Sequence, residues 1–348
     1  MTATVPASSG GMLRAVRVAA PEAPPELVEV PVREPGPGAV RITVEACGVC
    51  HSDLLIAAGL LPGTTFPVTP GHEIAGRIDA LGDGVTDWRI GDRVAVGWYG
   101  GSCGRCDACR TGDGIHCDRL QVPGAAYPGG YADSVVVPAV ALAAVPDELT
   151  AAEAAPLACA GVTVFNALRR SAARPGDTVA VLGLGGLGHL GVQFARAMGF
   201  RTVAIARGQE KGPLAHQLGA EHYIDSTAVD VARALLDLGG AKVVLATITN
   251  AAAMSAAIDG LGRRGELVIV GASPDPLTVG PLDLLNGDRR VYAHSSGTAV
   301  DTQDTLRFAT RSGVRAWIEE VPLEDTAAAV ARMADGRARF RMVVTTGR

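Results

Sequence analysis

The sequence lacks the features that indicate a nucleic-acid or membrane partner. Only 19% of its 348 residues are charged, and a formal net charge of −5 leaves no basic excess to bind a polyanion. No run approaches the roughly 20 apolar residues that span a bilayer. A secretory leader has a charged segment followed by an apolar run, and residues 1–11 contain no such pattern. We therefore expect a cytoplasmic protein that binds neither nucleic acid nor a membrane.

Cysteine is also scarce, and its number is odd. The chain has seven cysteines, which in a reducing compartment favours metal ligands or free thiols over disulfides. Apolar residues make up 48% of the chain, which is ample for a large core. A length of 348 residues favours two domains.

The pattern of the chain changes near Pro146. Before it, short strands alternate with Gly- and Pro-rich loops, and they are predicted at 15–18, 40–46, 74–78, 93–96 and 134–137. After it, Thr150 and Glu153 have the spacing of a capping box, and apolar strands are predicted at 179–182, 203–206, 222–224, 243–246 and 267–270, with a helix over 186–198. This alternation is typical of a parallel sheet with helices on both faces.

Four cysteines lie within one Gly-rich loop with the spacing C-x2-C-x2-C-x7-C, namely Cys103, Cys106, Cys109 and Cys117. Four thiolates this close can form a tetrahedron around Zn²⁺, and such a closed site is structural. A metal-free loop and an iron–sulfur cluster are the alternatives.

A second set of possible ligands is scattered along the chain: Cys47 and Cys50, then His72, then Cys159. Each has an ordinary structural explanation when taken alone. Cys159 in an Ala-rich helix could be a small buried apolar residue, and His72 could be a hydrogen-bonded histidine. The spacing of Cys47 and Cys50 does not distinguish a ligand pair from free thiols.

The combination resembles the zinc alcohol dehydrogenases of the medium-chain dehydrogenase/reductase superfamily. Their signature G-H-E-x2-G-x5-G-x2-V is matched by Gly71, His72, Glu73, Gly76, Gly82 and Val85, and the four-cysteine loop matches their structural-zinc lobe. The resemblance runs from residue 13 to the end and is strongest to the branch of the cinnamyl alcohol dehydrogenases. It implies an α/β protein with a GroES-like β-rich catalytic domain, 1–155 and 298–348, and a Rossmann doubly wound parallel-sheet domain, 156–297, with the active site in the cleft between them.

The resemblance also implies roles for individual residues. Cys50, His72 and Cys159 would bind a catalytic zinc, and the four-cysteine loop would bind a structural one, so that each chain holds two Zn²⁺ ions. Cys47 would then be a packed free thiol.

Residues around the catalytic zinc would support the chemistry. Asp53 would orient His72, and Glu73 would lie beside the ligands. Ser52 would begin a proton relay that His51 completes, although His51 could also be a surface histidine. Trp98 and Leu54 would line an apolar substrate pocket, and core packing is the alternative for Trp98.

The stretch Gly183-Leu184-Gly185-Gly186-Leu187-Gly188 is a G-x-G-x-x-G between a predicted strand and a predicted helix. In that context it predicts a dinucleotide site, with the phosphates at a helix N-terminus. By resemblance, Val270 and Gly271 would lie beside the nicotinamide, and Arg341 would reach the pyrophosphate unless it is a surface arginine.

The position where an NAD enzyme usually carries an acidic residue is Ala206, and Arg207 follows it. An arginine there can pair with a 2′-phosphate, so the sequence predicts that NADP(H) is preferred over NAD(H).

These features predict an alcohol dehydrogenase or carbonyl reductase that acts on a small molecule and forms a dimer or tetramer. An NAD-preferring enzyme and a cyclic-imine reductase with the same site remain open. A zinc-free relative, such as a quinone reductase, would lack the ligands. A non-catalytic relative would have lost the ligands, the relay or the fingerprint.

Overall fold

The computed structural model describes residues 11–348, and every structural statement below concerns those residues. The expected lack of a leader concerns residues that, apart from Gly11, lie outside this part. Contacts divide the chain into two compact units. One holds residues up to Ala144 together with Glu320–Arg337 and Met342–Arg348, and the other holds Val145–Glu319 and Ala338–Arg341. The domain limits expected above, at 155 and 298, stay a prediction.

The described residues contain fifteen strands, which are β1 (Met12–Arg17), β2 (Glu26–Pro31), β3 (Ala39–Gly48), β4 (Glu73–Leu81), β5 (Arg93–Val96), β6 (Ser134–Pro138), β7 (Ala143–Ala144), β8 (Thr178–Leu182), β9 (Arg201–Ala206), β10 (His222–Asp225), β11 (Ala241–Ala246), β12 (Leu261–Ile269), β13 (Arg290–Ala293), β14 (Ile318–Pro322) and β15 (Arg341–Thr345). Every strand predicted from the sequence overlaps one of them.

They also contain eleven α-helices, which are α1 (His51–Ala57), α2 (Asp107–Arg110), α3 (Ala151–Pro156), α4 (Val162–Arg170), α5 (Gly188–Ala197), α6 (Gly212–Gln217), α7 (Val231–Asp237), α8 (Ala251–Ala257), α9 (Pro281–Leu285), α10 (Ala299–Ser312) and α11 (Thr326–Ala334). The helix predicted over 186–198 is α5, which begins two residues later, at Gly188, the last glycine of the G-x-G-x-x-G stretch.

The first unit is built on an antiparallel sheet around β3. The sheet order is β14-β15-β3-β4-β5-β7, with β6 also paired to β3, while β1 and β2 form a separate hairpin. Along β3, Val40, Ile42 and Val44 are fully buried on one face, which is the two-residue period of a half-buried strand. The end of β3 pairs with the start of β4, where Gly48 lies opposite Glu73. This register brings the segment after β3 next to the segment before β4.

The second unit contains a six-stranded sheet in the order β10-β9-β8-β11-β12-β13, and all of its pairs are parallel. The central strand β8 is buried along its whole length, as expected for a strand covered on both faces. The chain order reverses between β8 and β11, and ligands bind at such a switch point, outside the carboxyl ends of the strands. The α/β class with a parallel doubly wound sheet is confirmed.

The helical stretch Ala151–Arg170 is long and apolar enough to cross a membrane by length and composition. The expectation that no run approaches this length was therefore wrong. Because 78% of its most apolar window is buried inside the protein, it has the surroundings of a core helix. Its start matches the predicted capping box, since the Glu153 N–H donates to Thr150 Oγ1 at 3.2 Å and the Thr150 N–H donates to Glu153 Oε2 at 2.9 Å.

Candidate active site and metal centres

The four-cysteine loop brings its sulfurs together. The Sγ atoms of Cys103, Cys106, Cys109 and Cys117 all lie within 4.8 Å of one another. Cys106 Sγ is 3.5 Å from Cys109 Sγ and 3.9 Å from Cys117 Sγ. A disulfide would need about 2.05 Å, whereas the edge of a zinc–sulfur tetrahedron with bonds of about 2.3 Å is close to 3.8 Å. The loop therefore has the size of a four-thiolate zinc site.

Backbone N–H groups point at these sulfurs and lower the pKa of the thiols that accept from them, although burial still raises the pKa of the Cys117 thiol to about 11. The N–H groups of Cys103 and Arg119 donate to Cys117 Sγ at 3.2 and 3.3 Å. Hydrogen bonds from the backbone at Arg105 and Cys106 lower the pKa of the Cys103 thiol to about 6. A thiol with this pKa is ready to lose its proton to a metal at neutral pH.

A second group of possible ligand atoms forms around the junction of β3 and β4. The ligand atoms of Cys50, His72, Glu73 and Cys159 all lie within 4.8 Å of one another. His72 and Glu73 are fully buried, and Cys50 is 7% exposed. Two sulfurs and an imidazole nitrogen are donors that zinc prefers. If Glu73 also coordinated an ion, the set would be closed, and without it one position stays open.

Asp53 fixes the geometry of this group. Its Oδ1 lies 2.9 Å from His72 Nδ1, and its Oδ2 accepts from the Cys50 N–H at 2.9 Å. The Gly71 N–H and the Tyr131 hydroxyl donate to the same carboxylate at 3.2 and 2.8 Å. With the Nδ1 proton held by Asp53, the other ring nitrogen of His72 is available to a metal.

Burial, the charge of Asp53 and the ring of Trp98 together form the surroundings of His72. Burial lowers the pKa of His72, but the Asp53 carboxylate raises it, and the net shift is upward. The edge of the imidazole meets Trp98, with ring centroids 5.1 Å apart at 89°. Trp98 also packs against the apolar cluster that contains Ile56 and Val68. Its indole therefore touches both the ligand group and the core.

Glycines next to the ligands leave no room for a side chain. A Cβ on Gly48 would lie 2.0 Å from Glu73 Oε2, and a Cβ on Gly71, whose φ is +101°, would lie 2.9 Å from Cys47 Sγ. Cys47 itself is fully buried and belongs to neither ligand group.

The remaining residues expected near the metal lie on helix α1. Cys50 is the N-cap of α1, so His51 and Ser52 occupy its first turn. His51 is exposed, whereas Ser52 and Leu54 are half-buried. Tyr131 was missed by the sequence reasoning, because a tyrosine in a Gly-rich loop has no motif that links it to an aspartate 78 positions away.

The fingerprint loop, residues 183–188, connects β8 to α5. Gly183 has a φ of +106°, and a Cβ on Gly188 would lie 2.0 Å from the Gly183 carbonyl oxygen. A Cβ on Gly185 would meet nothing within 4 Å, so this part of the backbone is open to a ligand. Leu187 is the N-cap of α5, and the free N–H groups at this end suit an anion.

Arg341 lies beside the fingerprint loop and is only 4% exposed. Its Nη1 would be 2.9 Å from a Cβ on Gly186, so it is not the surface arginine of the alternative explanation.

Two further positions lie at the carboxyl ends of strands. A Cβ on Gly271 would be 2.0 Å from the Ile248 carbonyl oxygen, so the loops after β11 and β12 pack closely, and Val270 immediately precedes this contact. Ala206 ends β9 and is 8% exposed, and the exposed Arg207 follows it.

Comparisons with known proteins agree with this geometry. Residues 36–147 match the alcohol dehydrogenase GroES-like domain, and residues 186–311 match the zinc-binding dehydrogenase family. The chain is 43% identical over 317 residues to alcohol dehydrogenase notN of an Aspergillus species, covering 91% of this chain and 93% of that protein.

Solved structures are similar over nearly the whole chain. A cinnamyl alcohol dehydrogenase from Sorghum bicolor is 31% identical with a TM-score of 0.87, covering 96% of this chain and 98% of that one. The cinnamyl alcohol dehydrogenase of Helicobacter pylori, solved with NADP(H), is 26% identical with a TM-score of 0.85 and the same coverage.

Proposed function

Since this chain belongs to the alcohol dehydrogenases of the medium-chain dehydrogenase/reductase superfamily, we propose that it is a zinc-dependent enzyme that transfers hydride between NADP(H) and a primary or secondary alcohol or its carbonyl counterpart. The observation that carries this proposal is the convergence of the ligand atoms of Cys50, His72 and Cys159. These three residues supply two cysteine sulfurs and one imidazole nitrogen, which are typical ligands of a catalytic zinc site.

Three protein ligands, with Glu73 left outside the coordination sphere, keep one position for the substrate oxygen. A zinc ion held by Cys50, His72 and Cys159 would supply a Lewis acid to polarise this oxygen. Asp53 holds the His72 ring and the Cys50 backbone in place for this geometry. Because Asp53 is 2% exposed and accepts four hydrogen bonds, its position is rigid.

Protons leave or enter along helix α1 in this proposal. Ser52, half-buried, accepts the alcohol proton, and the exposed His51 passes it to solvent. The increase in exposure from the buried Cys50 through the half-buried Ser52 to the exposed His51 supports a short route outward.

The cofactor's phosphates bind at the fingerprint loop. The open space over Gly185 admits the pyrophosphate close to the backbone, and Arg341 adds a positive charge next to Gly186. By resemblance, Val270 and Gly271 would hold the nicotinamide, which would supply or accept the hydride.

A preference for NADP(H) is supported by Ala206 and Arg207. Strand β9 ends in Ala206 instead of an acidic residue that would repel a 2′-phosphate, and the side chain of Arg207 next to it is exposed.

An apolar substrate is supported by Trp98, which packs its indole against His72. With Leu54 as a second wall of the proposed pocket, the site would favour hydrophobic or aromatic alcohols and aldehydes.

A homo-oligomer is the state that best explains an exposed apolar patch. Strand β13 ends its sheet and pairs on one side only. In helix α9, which leads into β13, Leu282 and Leu285 are 66% and 74% exposed. An open strand edge beside exposed leucines suits a second copy of the chain.

The test combines metal analysis with turnover. Cys50→Ser should lower turnover by more than about 100-fold, since even residues that only support zinc ligands change activity by about 10–100-fold. Far-ultraviolet circular dichroism should show that the fold is retained. Cofactor oxidation with a panel of aldehydes, ketones and cyclic imines then identifies the substrate class.

The matched control is Cys47→Ser, the same substitution three positions earlier at a buried thiol outside both ligand groups. This variant should keep both zinc ions and most of the turnover. A Cys50→Ser protein that turns over normally would show that the proposed zinc chemistry is wrong.

A further inference from the structure

A buried histidine that the proposed chemistry does not use lies at the start of helix α5. His189 is fully buried, with Nδ1 3.1 Å from the Gly185 carbonyl oxygen and Nε2 3.2 Å from the Trp317 backbone nitrogen. A carbonyl only accepts and a backbone N–H only donates, so Nδ1 carries the proton and Nε2 accepts. One neutral imidazole therefore joins the fingerprint loop to the linker segment, residues 314–317.

Gln193 ties down the same linker segment. Its Nε2 donates to the Arg315 carbonyl oxygen at 2.9 Å, and its Oε1 accepts from the Arg315 N–H at 3.2 Å. Residues four apart lie on one face of a helix, so the two side chains of α5 meet one stretch of chain. The linker segment is neither helix nor strand, and these side chains supply hydrogen bonds that a regular element would provide.

The linker segment in turn holds Arg341. The Trp317 carbonyl oxygen accepts from the N–H groups of Phe340 and Arg341, each at 3.0 Å. The Phe340 ring stacks on His189, with centroids 4.7 Å apart at 17°. Since Arg341 lies against Gly186, the contacts form a closed ring that begins and ends at the fingerprint loop.

We propose that His189 and Gln193 are positioning residues that hold Arg341 against the fingerprint loop, ready for the cofactor's pyrophosphate. This inference rests on the proposed function, because it takes the fingerprint loop and Arg341 as the phosphate site. An arginine already fixed in place loses less conformational freedom when the cofactor binds, which strengthens binding. Burial lowers the pKa of His189 to about 3, so the neutral form that the ring of contacts needs is present at any pH near neutral.

The test measures NADPH affinity of the full-length protein without substrate, by fluorescence titration. His189→Leu and Gln193→Leu each remove the hydrogen bonds, and each should weaken NADPH binding about tenfold. Turnover at saturating NADPH should change by less than about twofold, because no group that touches the substrate is altered. The loss of affinity should be constant between about pH 6 and pH 9, since His189 does not titrate there.

The conservative variant His189→Gln tests the hydrogen bond to Trp317 separately from the one to Gly185. The side-chain oxygen of His189→Gln can accept from the Trp317 N–H, so this variant should recover part of the affinity that His189→Leu loses. If both variants bind NADPH equally weakly, the link through Trp317 is not what positions Arg341.

Two further variants distinguish this inference from the proposed function. Leu235→Ala truncates a fully buried leucine in another part of the same unit's core and should lower stability without weakening NADPH binding. Arg341→Ala should weaken binding at least as much as His189→Leu. One result would exclude the positioning role and leave the phosphate site intact. In that result, Arg341→Ala weakens NADPH binding, but His189→Leu weakens it no more than Leu235→Ala does. If neither His189→Leu nor Arg341→Ala weakens binding, the phosphate site itself is wrong.

Discussion

In the candidate metal site, some residues supply possible ligand atoms and others hold those residues in position. Asp53 touches His72, the Cys50 backbone, Gly71 and Tyr131, so one carboxylate sets the position of two ligands. The aspartate could be found from the sequence because it follows the cysteine motif. Tyr131 could not, because its hydroxyl reaches Asp53 only after the loop before β6 has folded over the junction of β3 and β4.

We expect the proposed preference for NADP(H) to depend on Arg207. Arg207→Ala should lower kcat/KM with NADPH about 10–100-fold and leave kcat/KM with NADH within about twofold, because only NADPH has a 2′-phosphate to pair with the guanidinium. Steady-state kinetics with both cofactors side by side measure the effect.

The matched control is Arg233→Ala. Arg233 lies in the same unit, its side chain is 77% exposed, and it forms an ion pair with Asp237. This variant should behave as wild type with both cofactors, since surface ion pairs contribute little. Wild-type protein that clearly prefers NADH would contradict the assignment of Arg207.

At the scale of elements, the four-cysteine loop has little regular structure of its own, with the four-residue helix α2 and one 3₁₀ turn. Its order should therefore depend on the metal, as in small zinc domains. Cys106→Ser should release one zinc ion and lower the melting temperature by roughly 5 °C or more, given about 2–4 °C for each kcal/mol lost in domains of 150–250 residues. Calorimetry with metal analysis checks both.

Cys47→Ser serves as the reference here too, because it makes the same chemical change away from the loop. An unchanged melting temperature in Cys106→Ser, or loss of zinc from the Cys50 group instead, would mean that the loop is not a structural metal site.

Several strands with a buried face could be predicted from the sequence, whereas strands without one could not. β3, β4 and β8 carry apolar residues in a clear pattern, whereas β2 and β13 have no buried residue, so their sequences show no core-facing signal. Helix α1 has only seven residues, too few for a helical period to stand out. Its start is fixed instead by the backbone of Cys50 and the side chain of Asp53.

The sequence indicates the candidate site most clearly where its residues fall within one motif and least clearly where distant segments meet. The spacing of the four cysteines and of the fingerprint glycines reflects local backbone requirements, such as the positive φ of Gly183. The contacts of His189 with Trp317 join residues 128 positions apart, and no local pattern encodes that pairing.

At the scale of the whole molecule, the open edge of β13 sets an expectation about assembly. Leu285→Glu and Leu282→Glu place charge on leucines that are 74% and 66% exposed. If a second copy covers this surface, these variants should shift the protein towards a smaller species, because a buried unpaired charge costs several kcal/mol. Light scattering after size exclusion, over a range of concentrations, measures the mass of each variant.

Leu60→Glu is the control for this surface, since Leu60 is 69% exposed but lies in the first unit. It should leave the mass unchanged, because adding charge to a surface that no copy covers costs little. Wild-type protein that runs as a monomer would rule out the pairing through β13. If both α9 variants keep the mass of the wild-type multimer, the contact between copies lies elsewhere. The added charges would then lie on a surface that stays exposed to water.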